Sequence, residues 1–152
     1  MNEIYEAVKE LPTYYIEIGV FEAKTKRKET VKVGLTNAEL MFTHENGSPL
    51  RHIPARPVLQ MTLNYANRYL VKQTINKAID AYLASDCNKS ELEKVLKQLC
   101  MRMENYARDI IYKNDGRLAP NAPSVAAKKK GNHPLFDTGQ LARSITCRLI
   151  KA

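Results

Sequence analysis

Three prolines, Pro49, Pro54 and Pro57, fall within nine residues of "SPLRHIPARP", and the chain then runs to about Ala84 with neither glycine nor proline. That contrast constrains the fold more than any other feature. Prolines so close together remove backbone donors and fix φ, so residues 49–57 cannot be regular. Pro57 suits the first position of a helix. Beyond it Leu59, Leu63, Ala66 and Leu70 make a stripe that Ile75, Ile79 and Tyr82 continue with a small drift. The spacing predicts a helix near 57–84, about 40 Å long at 1.5 Å per residue. Ser90 with Glu93 reads as a capping box opening a second helix near 90–113. Its Leu92, Val95, Leu96, Leu99, Met103, Tyr106 and Ile110 recur at three- and four-residue spacing, and Asp115-Gly116 ends it. The short connection predicts an antiparallel pair.

Upstream, Asn2 can cap a short helix with Ile4, Val8 and Leu11 on one side, closed by Pro12. In "YYIEIGVF", Ile16, Ile18 and Val20 alternate with other residues, which predicts a strand near 14–21. "TVKVGL" predicts another near 30–35, and the polar 22–29 between them is a hairpin tip. Thr36 and Glu39 form a further capping box, with Gly47 placed to end that helix. Downstream, 115–136 carries Pro120, Pro123 and Pro134 and reads as a long loop, with at most two helical turns in "PSVAAKKK". Ile145, Cys147 and Leu149 then alternate as a strand near 144–150. The expected order is α-β-β-α-α-α-β. This is a single α+β domain over 1–152, its small antiparallel sheet packed on two long helices.

Lys and Arg number 24 against 16 Asp and Glu, a net charge of +8. Such a field favours anionic partners, either nucleic acid or an acidic protein surface. The basic residues cluster at Lys24, Lys26, Arg27 and Lys28, and again at Lys128, Lys129 and Lys130. No aromatics are interleaved with them, so sequence-specific DNA reading is not expected. Cys87, Cys100 and Cys147 are scattered without a CxxC pair, and His44, His52 and His133 lack ligand spacing. No metal, disulfide framework or cofactor is expected, and the thiols suit a reducing cytoplasm. No apolar run is long enough for a bilayer, and the N-terminus has no secretory pattern.

"LFDTGQL" contains the Asp-Thr-Gly of aspartic proteases, whose chemistry needs two carboxylates sharing a proton. Here the triplet occurs once and only 13 residues follow Gly139. The alternative is an architectural corner. Asp137 or Thr138 would cap the next turn, Gly139 would let the chain bend, and Leu135 and Leu141 would anchor it.

Taken together, "HENGSPLRHIPARPVLQMTL" and "PLFDTGQLARSI" resemble two signature segments of tailed-phage virion-morphogenesis proteins. These are the small tail-completion or neck proteins of Mu-like and lambda-like phages and prophages. The resemblance implies a non-enzymatic assembly protein, made in the host bacterial cytoplasm and ending in the virion. It implies partners among head–tail or tail proteins and a homo-oligomeric ring. It also implies that Glu45, Gly47, Pro54, Arg56, Pro57, Leu135, Asp137, Thr138, Gly139, Leu141 and Ser144 shape the fold. The basic clusters would face an acidic partner or the DNA path. The rival reading from the residues alone is a non-specific nucleic-acid-binding protein using those loops.

Overall fold

A computed structural model describes Lys9 and residues 13–21, 34–129 and 132–152. Apart from Lys9, the N-terminal helix lies outside these residues, as do the 22–29 tip and most of the 30–35 strand. Gly34 and Leu35, which are described, are not in a strand.

The chain is α+β. Strand β1 (Tyr14–Gly19) pairs antiparallel with β2 (Thr146–Lys151), Ile16 opposite Leu149 and Ile18 opposite Cys147. Among the described residues the sheet has these two strands. Its inner face rests on the long helix α4 (Lys89–Lys113), where Tyr14 donates to Glu93 Oε1 at 3.0 Å. Its outer face carries the Glu17–Arg148 ion pair. The last strand begins two residues later than expected. Ser144 still belongs to helix α6 (Gln140–Ser144), its hydroxyl donating to Leu141 O, and Ile145 N bonds Ala142 O.

Helix α1 (Asn37–Asn46) opens on the Thr36–Glu39 capping box and ends at Gly47, both as the residues predict. The run expected as one helix from 57 is instead three segments. These are α2 (Val58–Tyr65), a π-helical segment (Ala66–Leu70) and α3 (Val71–Ala84). Of the expected stripe, Ala66, Leu70 and Tyr82 are buried, but Val58, Thr62, Thr74 and Ala78 share the inner face with them, and Leu63 and Ile75 are exposed. The π turn holds more residues per turn than the α-helix, and so rephases the residues of α3. The buried Thr62 satisfies its hydroxyl by donating to Val58 O at 2.8 Å. A turn over Ser85–Cys87 leads into α4. The N-cap there is Asn88, whose side chain accepts from Ser90 N, so Ser90 is not the cap and Glu93 is free to meet Tyr14.

Three apolar clusters lie along the helices. Ala78 and Tyr82 meet Leu92, then Ala66 and Leu70 meet Leu99 and Met103. The largest joins Met41, Val58, Ala107, Ile110, Ile111, Leu118, Leu141, Ala142 and Ile145. Each fully buried Ile there contributes about 1.5–3 kcal/mol by removal from water. Arg108 of α4 donates to Ala142 O and Ile145 O, while Glu104 accepts from Cys147 N, which fixes where the chain leaves α6 for β2.

Candidate functional site: a basic cleft between two signature segments

The two segments singled out in the sequence are brought together at one end of the molecule. "HENGSPLRHIPARP" folds as a braced loop. Ser48 and Ile53 exchange backbone hydrogen bonds of 2.8 and 2.9 Å around a 3-10 turn at Pro49–Arg51. Gly47 has φ +73 and ψ 178, and a Cβ there would lie 2.8 Å from Ala55 N and 3.0 Å from Ile53 O. No other residue fits. Glu45 caps a helix distant in sequence: its carboxylate accepts from Leu59 N at 3.0 Å and Gln60 N at 2.8 Å, at the start of α2. An anion at a helix N-terminus satisfies free donors and complements the dipole, an effect of about 1–2 kcal/mol. Pro57 occupies the position before the first helical residue, Val58, rather than the first position itself.

Arg56 is only 4 % exposed. Its Nε donates to Ala119 O at 2.7 Å and its Nη2 to Pro120 O at 2.8 Å, while its backbone N bonds His44 O. It thus ties down the segment after α4, which the sequence leaves as a loop, with Leu118 buried beneath. Further on, α5 (Pro123–Ala126) supplies one short turn. The second signature comes next. Leu135 packs on the main core with φ +59, and Leu141 is buried in it. Gly139 starts α6 with φ +73, and no side chain caps that helix. The expected capping by Asp137 or Thr138 is therefore absent. Arg143 instead reaches back from α6 and donates to Thr138 O at 2.7 Å, and both Asp137 and Thr138 are exposed.

Between these segments lies a cleft of about 560 Å³. Arg51, His52, Ile53, Pro54 and Arg56 form one wall, and Leu135 with Asp137 to Leu141 another. Lys129 turns into it, donating to Phe136 O at 3.2 Å, whereas Lys128 is exposed. Lys24, Lys26, Arg27, Lys28 and Lys130 lie outside the described residues. Sequence reasoning missed His44, whose Nδ1 stands 3.3 Å from Arg56 Nη1. A guanidinium only donates, so Nδ1 accepts and the imidazole is neutral. Burial, then Arg56, then Lys129 push its pKa down from 6.5 to about 4.

This shift has a consequence for stability. Between pH 6.5 and about 4 the unfolded chain holds a proton that the folded one does not. Stability is therefore complete above about pH 6.5, falls as pH drops, and levels off below about 4. Discounted for solvent screening, the loss is about 1–2 kcal/mol. Urea unfolding of wild type and His44→Gln across this range checks it. The variant should lose the excess slope, and equal slopes would reject the assignment.

Among the described residues no group of acids, histidines and cysteines is arranged to hold a metal ion, and no helix is long and apolar enough to cross a membrane. No protein-family model, curated protein or solved structure matches the chain.

Proposed function

We propose that the chain is a structural, non-enzymatic subunit of a tailed-phage or prophage virion, acting in tail completion or head–tail joining. On this reading it is made in the bacterial cytoplasm and assembles with head–tail or tail proteins as one member of a homo-oligomeric ring. Its scaffold is the antiparallel pair of long helices, α2 through α3 and α4.

The observation that carries this reading is how the two signature segments spend their polar groups. Glu45, Arg56 and Arg143 are engaged with backbone groups of the protein itself. The loop they help to hold then displays Leu50, 97 % exposed. A rigid corner that presents a large apolar side chain to solvent is suited to docking. Lys128, with Lys24, Lys26, Arg27, Lys28 and Lys130, supplies the charge to face an acidic protein surface or the DNA path.

The test is charge reversal. Glutamate at Lys24, Lys26, Arg27, Lys28 and Lys128 together should abolish infectious particles while the purified protein keeps its circular dichroism and melting temperature. Normal particle yield would reject the reading. Strong duplex-DNA affinity of the isolated protein, falling steeply with salt, would favour a non-specific nucleic-acid-binding protein instead.

A further inference from the structure

Arg56 and Lys129 line the cleft, and among the described residues neither makes an ion pair, although Asp137 of the same lining attracts Lys129. Buried charges in proteins are as a rule paired, because an unpaired one loses its hydration without compensation. Yet among the described residues neither Arg56 nor Lys129 lies within ion-pairing distance of a carboxylate. Arg56 is bonded to two carbonyls and a neutral imidazole, none of which cancels its charge. Glu45, the acid nearest in sequence, has both oxygens committed to α2. Asp137 acts on Lys129 only through its field, and burial lowers the pKa of both cations.

A second, independent observation points the same way. Asn121 lines the cleft, and its Nδ2 is buried with no hydrogen-bond partner among the described residues. Such a group costs about 1–3 kcal/mol until an acceptor reaches it. The rest of the lining is largely apolar: Leu40, Ile53, Pro54, Val125, Leu135 and Leu141.

We propose that this cleft binds a carboxylate of a partner protein, borne by an Asp or Glu side chain or a chain terminus with an apolar residue beside it. Lys129 and the Asn121 amide donate to the carboxylate, Arg56 supplies the attracting charge, and the apolar neighbour fills the remaining wall. The volume is that of a small-ligand site. A phosphodiester backbone carries no apolar group for these walls, so charge and lining together favour a protein segment over nucleic acid. The proposal rests on the reading of the chain as an assembly subunit and names the chemistry of its partner.

The test titrates isotope-labelled full-length protein with acetyl-Leu-Asp-Leu-amide at millimolar concentrations. Acetyl-Leu-Asn-Leu-amide serves as the neutral isostere, with inorganic phosphate and a short DNA duplex as the other arms. The Asp peptide should shift the Asn121 side-chain amide and the Arg56 Nε–H resonances and raise the melting temperature. The Asn peptide should bind at least about tenfold more weakly, as should the Asp peptide to the double variant Lys129→Gln, Asn121→Ala. Equal binding of the two peptides, no shift with either, or stronger displacement of the same resonances by phosphate or duplex would overturn the proposal. The isostere comparison uses the unaltered protein and so does not depend on the variant folding. Particle assembly is not read in this experiment, so its failure would leave the assembly reading to the charge-reversal test.

Discussion

Arg56→Met is expected to lower the unfolding free energy by about 3–4 kcal/mol, and the melting temperature by roughly 10 °C for a chain of this size. Two effects compete. Removing the guanidinium relieves a buried charge, which by itself stabilises. It also deprives Ala119 O, Pro120 O and His44 Nδ1 of their donor at once. These part-buried hydrogen bonds to a charged donor contribute about 1.5–3 kcal/mol each, and guanidinium is the more weakly hydrated of the basic groups, so the loss of donors wins. Arg56→Lys keeps the charge but can serve only one of the two carbonyls well, and should fall between. Urea denaturation followed by circular dichroism decides the matter. A loss below about 1 kcal/mol for the methionine variant would mean that the tie to residues 119–120 is dispensable.

Gly47→Ala carries the second large effect, a loss of about 3 kcal/mol or more. At φ +73 and ψ 178 the backbone sits where essentially only glycine is found. The added methyl would also meet the backbone at Ala55 N and Ile53 O, and neither can swing aside as a side chain could. Gly139 makes the contrast. It too has positive φ, but its closest would-be contact is the flexible end of Arg143 at 3.0 Å. Gly139→Ala should therefore cost clearly less, about 1–2 kcal/mol. Equal losses at the two glycines, measured by thermal unfolding, would rule out the close approach at Ala55 as the cause.

What could be read in the sequence was what is local. The Thr36–Glu39 box, the stop at Gly47 and the alternation in β1 each involve groups within a few residues of one another, and the residues carry their own instructions. The phase of the first long helix was not local. A 3.6-residue reading places Leu59, Leu63, Ala66, Leu70, Ile75, Ile79 and Tyr82 inside. Leu59, Ala66, Leu70 and Tyr82 do pack inward, yet Leu63 and Ile75 are exposed, and Thr62, Thr74 and Ala78 join the inner face. Nothing in "ANRYL" announces a π turn, whose Ala66 and Leu70 pack against Leu99 and Met103 of α4.

The candidate site divides in the same way. The two segments could be picked out, but not what their charges touch. Glu45 caps amides fourteen and fifteen residues away, and Arg56 bonds carbonyls more than sixty residues away, with α2, α3 and α4 between. Asp137 and Thr138 have a familiar capping spelling. They do not cap because Gly139, in the left-handed region, itself occupies the position from which a side chain would do so.

The tie between Arg56 and residues 119–120 also sets an order of opening along the helices. At its end the helices share the largest cluster, with Val58, Ala107 and Ile111 fully buried. At the other end, around Ser85–Cys87, the smaller cluster of Ala78, Tyr82 and Leu92 holds them. Amides near that turn should then exchange with solvent through local fraying, whereas those of Ala107 to Ile111 exchange only when the whole domain unfolds. The molecule should then open first at the turn end and last at the end that carries the cleft.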